Sequence, residues 1–227
     1  SNTHRYRMLQ LLKQKPVKLR SLQTLDVSIK KLIQQRDIST ESVYLNEEIN
    51  TLITELIAEW QHIEVYKYHN LPIRNKILLH GATGNGKTTI ARHIAKLSNL
   101  PFIEVKSDSI VDSHIGKTGI NIHNIFNQIN EPCVLFWDEI DSIGRKRGAG
   151  DDSGASFENE RMVNSILINM EKLNNSVIFI GATNRRNVLD TAFLRRFDVE
   201  FELSPPNDEQ KDNFAATMMN HYKLPES

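Results

Sequence analysis

The stretch "KILLHGATGNGKTTIARHIAK" (residues 76–96) constrains the fold more than any other part of the chain. A short apolar run leads straight into a glycine-rich turn, and helical spacing begins the moment the turn ends. Within it, "GATGNGKT" (81–88) fits the pattern G-x-x-x-x-G-K-[ST]. Glycine at Gly81, Gly84 and Gly86 removes the Cβ atoms that would keep backbone N–H groups from closing on an anion, and it permits positive φ. The free N–H groups and dipole at the start of the following helix add partial positive charge at the same point. The loop, with Ala82, Thr83, Asn85 and Thr89, is therefore a phosphate cradle in which Lys87 reaches the β- and γ-phosphates and the Thr88 hydroxyl ligates Mg²⁺.

From residue 76 onward, strands alternate with helices. "KILLH" (76–80), "FIEVK" (102–106), "CVLFW" (133–137), "VIFIGA" (177–182) and "VEFEL" (199–203) read as strands. Helices are expected over Lys87–Leu97, around Gly119–Ile129 and over Phe157–Leu173. This alternation predicts a parallel sheet with helices on both faces, a three-layer α/β fold, and "CVLFW" is apolar enough to be covered on both sides. Upstream, Val43, Ile49, Leu52, Ile53, Leu56, Ile57, Trp60 and Ile63 recur every three to four residues and predict one long amphipathic helix from Ser42 to Tyr66. Leucines and isoleucines at mixed helical spacing fill residues 4–36.

A phosphate loop alone does not separate nucleotide binding from hydrolysis. In "CVLFWDEID", Asp138 follows a buried strand and is placed to hold magnesium, while Glu139, its neighbour on an extended chain, points elsewhere and can deprotonate an attacking water. "VIFIGATN" closes on Asn184 at the strand edge where α/β sheets bind ligands, a position from which an amide can fix that water and sense the γ-phosphate. "LDTAFLRRFD" sets Arg195 and Arg196 together; arginines of this kind, inserted into a neighbour's site, raise phosphoryl transfer by roughly 10³–10⁵-fold.

Composition is that of an ordinary folded domain: 227 residues, 39% hydrophobic and 25% charged. No apolar run approaches the ~20 residues a membrane span needs, so no membrane contact is expected. The single cysteine, Cys133, excludes a disulfide framework and points to a reducing, cytoplasmic setting. Net charge is zero but unevenly spread. Residues 1–36 carry nine Lys or Arg against Asp26 alone, whereas Asp37–Tyr66 holds acids without a Lys or Arg. The basic arm can serve nucleic acid, the acidic helix that follows it, or a neighbouring subunit.

Taken in this order, "GATGNGKTT", "VLFWDEIDSIG", "ERMVNSIL", "GATN" and "LDTAFLRRFD" resemble the AAA family of ATPases over roughly residues 44–215. The resemblance implies a P-loop NTPase sandwich with a parallel five-stranded sheet of order 5-1-4-3-2 and ATP, rather than GTP, as nucleotide. It also implies a ring, usually hexameric, with nucleotide between subunits. It assigns nucleotide contacts to residues 81–89 and Asp138, metal to Thr88 and Asp138, the base to Glu139, the sensor to Asn184 and trans fingers to Arg195 and Arg196. It places His114, Ile115 and Gly116 where the family carries an aromatic-aliphatic-glycine triplet that grips polypeptide in the pore. The expected organisation is a helical extension (1–70), a large α/β subdomain (71–204) and the first helix of a truncated helical lid (205–227). The activity implied is ATP-driven remodelling of a protein; Arg145, Lys146, Arg147 and the basic arm keep a nucleic-acid loader open as the alternative.

Overall fold

The computed structural model describes residues 27–36, 43, 45–107, 110, 118–142 and 154–208, with isolated positions between 210 and 219; for 27–28 and 154–162 it describes backbone alone. In chain order the elements are α1 (Val27–Leu32), β1 (Ile33–Arg36), α2 (Glu47–Gln61), α3 (Ile63–Tyr68), β2 (Lys76–His80), α4 (Lys87–Ser98) and β3 (Phe102–Val105). There follow α5 (Thr118–Gln128), β4 (Cys133–Trp137), α6 (Gly154–Glu171), β5 (Val177–Thr183), α7 (Thr191–Leu194) and β6 (Val199–Glu202).

The sheet has six strands in the order β1-β3-β4-β5-β2-β6. The five strands read from the sequence are mutually parallel and adjacent in the expected succession, and a sixth is added antiparallel at the β3 edge. That addition corrects the five-stranded expectation and places strand within the stretch read as helical extension. Residues "IQQR" are too short and too polar to show a period-two pattern. They hold their register, Ile33 opposite Val105 and Arg36 opposite Phe102, through one apolar anchor and two side chains converging on Glu104. Gln34 Nε2 and Arg36 Nε donate to Glu104 Oε2 at 3.0 and 2.7 Å.

Alternation along β4 shows how the layers form. Cys133, Leu135 and Trp137 enter the core shared with α1, α5 and α6, while Val134 and Phe136 enter the core shared with α2 and α4. All five are buried, as a central strand between two helical layers requires. Burial pushes the Cys133 thiol up to about 12, so it is an inert packing group.

Helix α2 begins at Asn46, whose side chain accepts from Ile49 N at 2.8 Å, and buries Ile53, Leu56 and Ile57. It stops at His62, so the single helix expected over 42–66 is two. Beyond Ile57 the stripe runs off the core: α3 has no buried residue, and Tyr68 is 82% exposed. The chain is folded back there by Trp60 Nε1 donating to Arg74 O at 2.9 Å and by the Arg74–Glu59 ion pair.

Because Ile33 is 3% exposed, β1 is part of the core and not an appendage. Ile33→Ala is expected to lower unfolding free energy in urea by about 2–4 kcal/mol; a loss below about 0.5 kcal/mol would show that the strand does not support the sheet.

Candidate functional site

Parallel register brings the relevant strand ends together. His80, the last residue of β2, lies opposite Thr183, the last of β5, and Trp137, the last of β4, lies opposite Gly181. Each strand then delivers a polar segment at the same edge: residues 81–88 after β2, Asp138 and Glu139 after β4, and Asn184 after β5.

The three loop glycines do different things. Gly84 and Gly86 take φ of +87° and +80°, and a Cβ on either would meet nothing within 4 Å, so the space before them is open. Gly81 is a packing glycine: its Cβ would lie 2.2 Å from the backbone oxygen of Leu203 at the end of β6. Asn85 Nδ2 donates to that same oxygen at 2.6 Å, which fixes the loop to β6. Lys87 Nζ donates to Gly81 O and Ala82 O at 2.8 and 2.9 Å, leaving the ammonium at the mouth of the cradle.

Thr83, Gly84, Gly86, Lys87, Thr88, Thr89, Asp138, Glu139 and Asn184 line one cavity of about 310 Å³. Thr88 Oγ1 donates to Asp138 Oδ2 at 3.3 Å, and Asn184 Nδ2 to Thr83 Oγ1 at 3.2 Å. The converging hydroxyl and carboxylate are hard oxygen donors of the kind Mg²⁺ takes, and the space before Gly84 and Gly86 is open to an anion. These residues fit a magnesium nucleotide. Glu139 sits at φ +52°, in the left-handed region uncommon for a side-chain-bearing residue. Its N–H donates to Asp138 Oδ1 at 2.9 Å, so Glu139 sits in a turn and not on the extended chain expected from the sequence.

On the other side of the loop, a cavity of about 490 Å³ shares Gly84, Gly86 and Thr89 with the first. Its remaining wall is largely apolar: Val43, Leu45 and Ile49 before and within α2, and Leu203, Pro205 and Pro206 after β6. Such a wall suits a flat ring system. Beside the cradle, burial and then the Arg186 guanidinium hold the His80 imidazole below its ordinary range, against the opposing pull of Glu202 and Glu200. His80 is thus neutral at neutral pH.

The paired arginines lie at the opposite end of the sheet. The Asp198 carboxylate accepts from Asn75 N and Lys76 N at 3.0 and 2.8 Å, at the start of β2. The cradle leaves the other end of that strand, about 16 Å away at ~3.3 Å per residue, beyond the reach of an arginine side chain. Arg195 is exposed and makes no side-chain hydrogen bond or ion pair among the described residues, whereas Arg196 is tied to Glu171 of its own chain at 2.7 Å. His114, Ile115, Gly116, Arg145, Lys146, Arg147 and the arm through residue 26 lie outside the described residues.

A family model described as "ATPase family associated with various cellular activities (AAA)" matches residues 77–205, more than half of the chain. The chain belongs to the AAA family. An ATP-dependent zinc metalloprotease FtsH of Trieres chinensis is 36% identical over 167 residues, covering 71% of this chain and 26% of that protein. An uncharacterized AAA family ATPase, y4kL of Sinorhizobium fredii, is 39% identical over 144 residues, covering 63% of this chain and 43% of that one. The chain thus spans about a quarter to less than a half of these relatives. The crystal structure of the FIGL-1 AAA domain superposes with a TM-score of 0.67 at 21% identity, covering 89% of this chain and 69% of that one, which shows the fold. No helix among the described residues is long and apolar enough to cross a membrane.

Several residues of this AAA site carry no sequence signal. Ser107 Oγ donates to Asp138 O at 2.8 Å and accepts from Trp137 Nε1 at 3.1 Å. Thr183 Oγ1 donates to Asp141 Oδ1 at 2.7 Å. Small polar residues at strand ends are commonplace, and only the fold reveals what these touch. From the glycine geometry, Gly81→Ala is expected to cost about 2–4 kcal/mol through overpacking and strain, clearly more than Gly84→Ala, in thermal melts without nucleotide. Equal melting of the two variants would refute the division of roles.

Proposed function

We propose that this chain is the motor domain of an oligomeric machine that binds ATP with Mg²⁺, hydrolyses it to ADP and phosphate, and uses the energy to remodel a protein substrate. The observation that carries the reading is the convergence of Lys87, Thr88, Asp138, Glu139 and Asn184, from three segments, on one cavity of about 310 Å³. The backbone of residues 81–88 cradles the phosphates, and Lys87 turns its ammonium from the loop carbonyls to their oxygens. Thr88 and Asp138 would hold Mg²⁺, which supplies charge neutralisation between phosphate oxygens. Glu139 accepts the proton of the attacking water, and Asn184 orients that water. The wall formed by Val43, Leu45, Ile49 and Leu203 takes the adenine.

Arg195 acts on a neighbouring copy, because it lies a strand's length from its own cradle and is unpaired among the described residues; Arg196, anchored on Glu171, holds the segment in place. A ring, of six subunits by family habit, satisfies this geometry. The relatives named ATP-dependent metalloproteases favour protein as the substrate.

Phosphate release and nucleotide affinity measured in parallel test the scheme. Lys87→Ala is expected to lose nucleotide binding. Glu139→Gln should bind but fall by roughly 10²–10⁴-fold in turnover, and Arg195→Ala should bind, assemble and lose turnover. Equal multiple-turnover rates for wild type and Glu139→Gln would eliminate hydrolysis at this site.

A further inference from the structure

Two polar residues that the scheme above does not use lie buried between its parts. Thr183 is fully buried at the end of β5, and Asp141 is 6% exposed in the short turn Ile140–Ser142 that follows the acidic pair. Thr183 touches three segments at once. Its carbonyl accepts from Gly81 N, the first residue of the cradle, at 3.3 Å. Its hydroxyl donates to Asp141 Oδ1 at 2.7 Å and accepts from Arg185 N at 2.9 Å, on either side of Asn184 in the chain. One hydroxyl therefore ties the turn carrying Glu139 to the turn carrying Asn184.

Glu139 needs such a tie. A non-glycine residue at φ +52° is strained, and strain persists only where its surroundings over-determine it. Before Glu139, Ser107 holds the Asp138 carbonyl. After it, two contacts fasten the turn to β5. Ile140 is fully buried against Gly181, where a Cβ would come within 3.0 Å of Ile140 Cδ1, and Asp141 is bonded to Thr183. Packing alone fixes a position loosely, whereas a short hydrogen bond between buried groups fixes direction as well.

We infer that Thr183 and Asp141 are a positioning pair: their hydrogen bond holds Glu139 in its left-handed conformation and sets it against Asn184, so that base and amide address the same water. The inference rests on the ATPase reading above. Neither residue reaches the cavity, and both act through their neighbours. Loss of the hydroxyl leaves the cradle, Lys87 and the apolar cavity in place, so nucleotide affinity is spared while turnover falls.

The test is Thr183→Val, which keeps the side-chain shape and removes the hydroxyl, beside Thr183→Ser, which keeps the hydroxyl, in the full-length protein. Steady-state phosphate release gives kcat and KM, and titration of a fluorescent ATP analogue gives affinity. Thr183→Val is expected to lose about 10–100-fold in kcat, the scale of small misplacements in an active site, with affinity within about threefold of wild type; Thr183→Ser should recover most of the rate. A Thr183→Val protein turning over at the wild-type rate overturns the inference, as does a serine variant as slow as the valine one. Joint loss of affinity and turnover also overturns it, since that marks a merely structural role. Should the valine variant fail to fold, Thr183→Ala, which removes the hydroxyl without adding volume, replaces it with the same expected outcome. Glu139→Gln in the same assay keeps the two readings apart: a wild type no faster than Glu139→Gln removes hydrolysis itself, whereas an active wild type with a fully active Thr183→Val removes the positioning pair alone.

Discussion

The site at the strand ends depends on one constraint, the parallel register of β2, β5 and β4. Parallel neighbours end at the same level, so the segments leaving them meet, and in this sheet those segments are the glycine loop, the Asn184 turn and the acidic pair. The register is held by core side chains on both faces, with Leu78, Leu135 and Phe179 on one side and Leu79, Phe136 and Ile180 on the other. A shift of one residue along β5 would exchange the two faces. It would also carry Thr183 and Asn184 away from the turn they face. The apolar core therefore sets ångström-scale distances among polar groups that it does not contain.

Rigidity at the strand ends comes from hydrogen bonds that cross between segments. Leu203 N donates to His80 O at 2.7 Å and Leu203 O accepts from Asn85, so the exit of β6 is stapled to the cradle from both sides. The same exit, with Pro205 and Pro206, forms part of the apolar cavity. Cradle and apolar cavity thus share one anchor, and close packing of this kind transmits displacement without being continuously deformable.

What could be read in the sequence follows a simple division. Patterns that local physics repeats were legible: the glycine loop between strand and helix, the apolar run ending in two acids, and the five parallel strands, which flank one another as expected with boundaries off by one residue at most. What depends on distant partners was not. "IQQR" becomes a strand only because Glu104 and the edge of β3 are there to receive it. The helix expected through Tyr66 breaks at His62 because its apolar stripe outruns the surface that it covers. Arg195 and Arg196 are indistinguishable as letters; Glu171, far away in sequence, takes hold of one and leaves the other exposed. Thr183, Asp141 and Ser107 are ordinary polar residues until the fold surrounds them.

The two ends of β2 give the oligomeric reading its mechanical sense. At its C-terminal end the strand carries the cradle; at its N-terminal end Asn75 N, Lys76 N and the Lys76 ammonium, 3.3 Å from Asp198, hold the segment that bears the arginines. The strand between is hydrogen-bonded on both sides, to β5 and to β6, and three of its five residues are wholly buried. It cannot bend locally without breaking ladders on both flanks. Under the proposed scheme, a rearrangement around the phosphates at one end would therefore move the arginine segment at the other as a body. Under a trans arrangement that segment belongs to the next subunit's site, so one stiff strand links the state of one nucleotide to the electrostatics around its neighbour's. Coupling between sites then requires no flexible relay, because the sheet that assembles each site is the element that joins them.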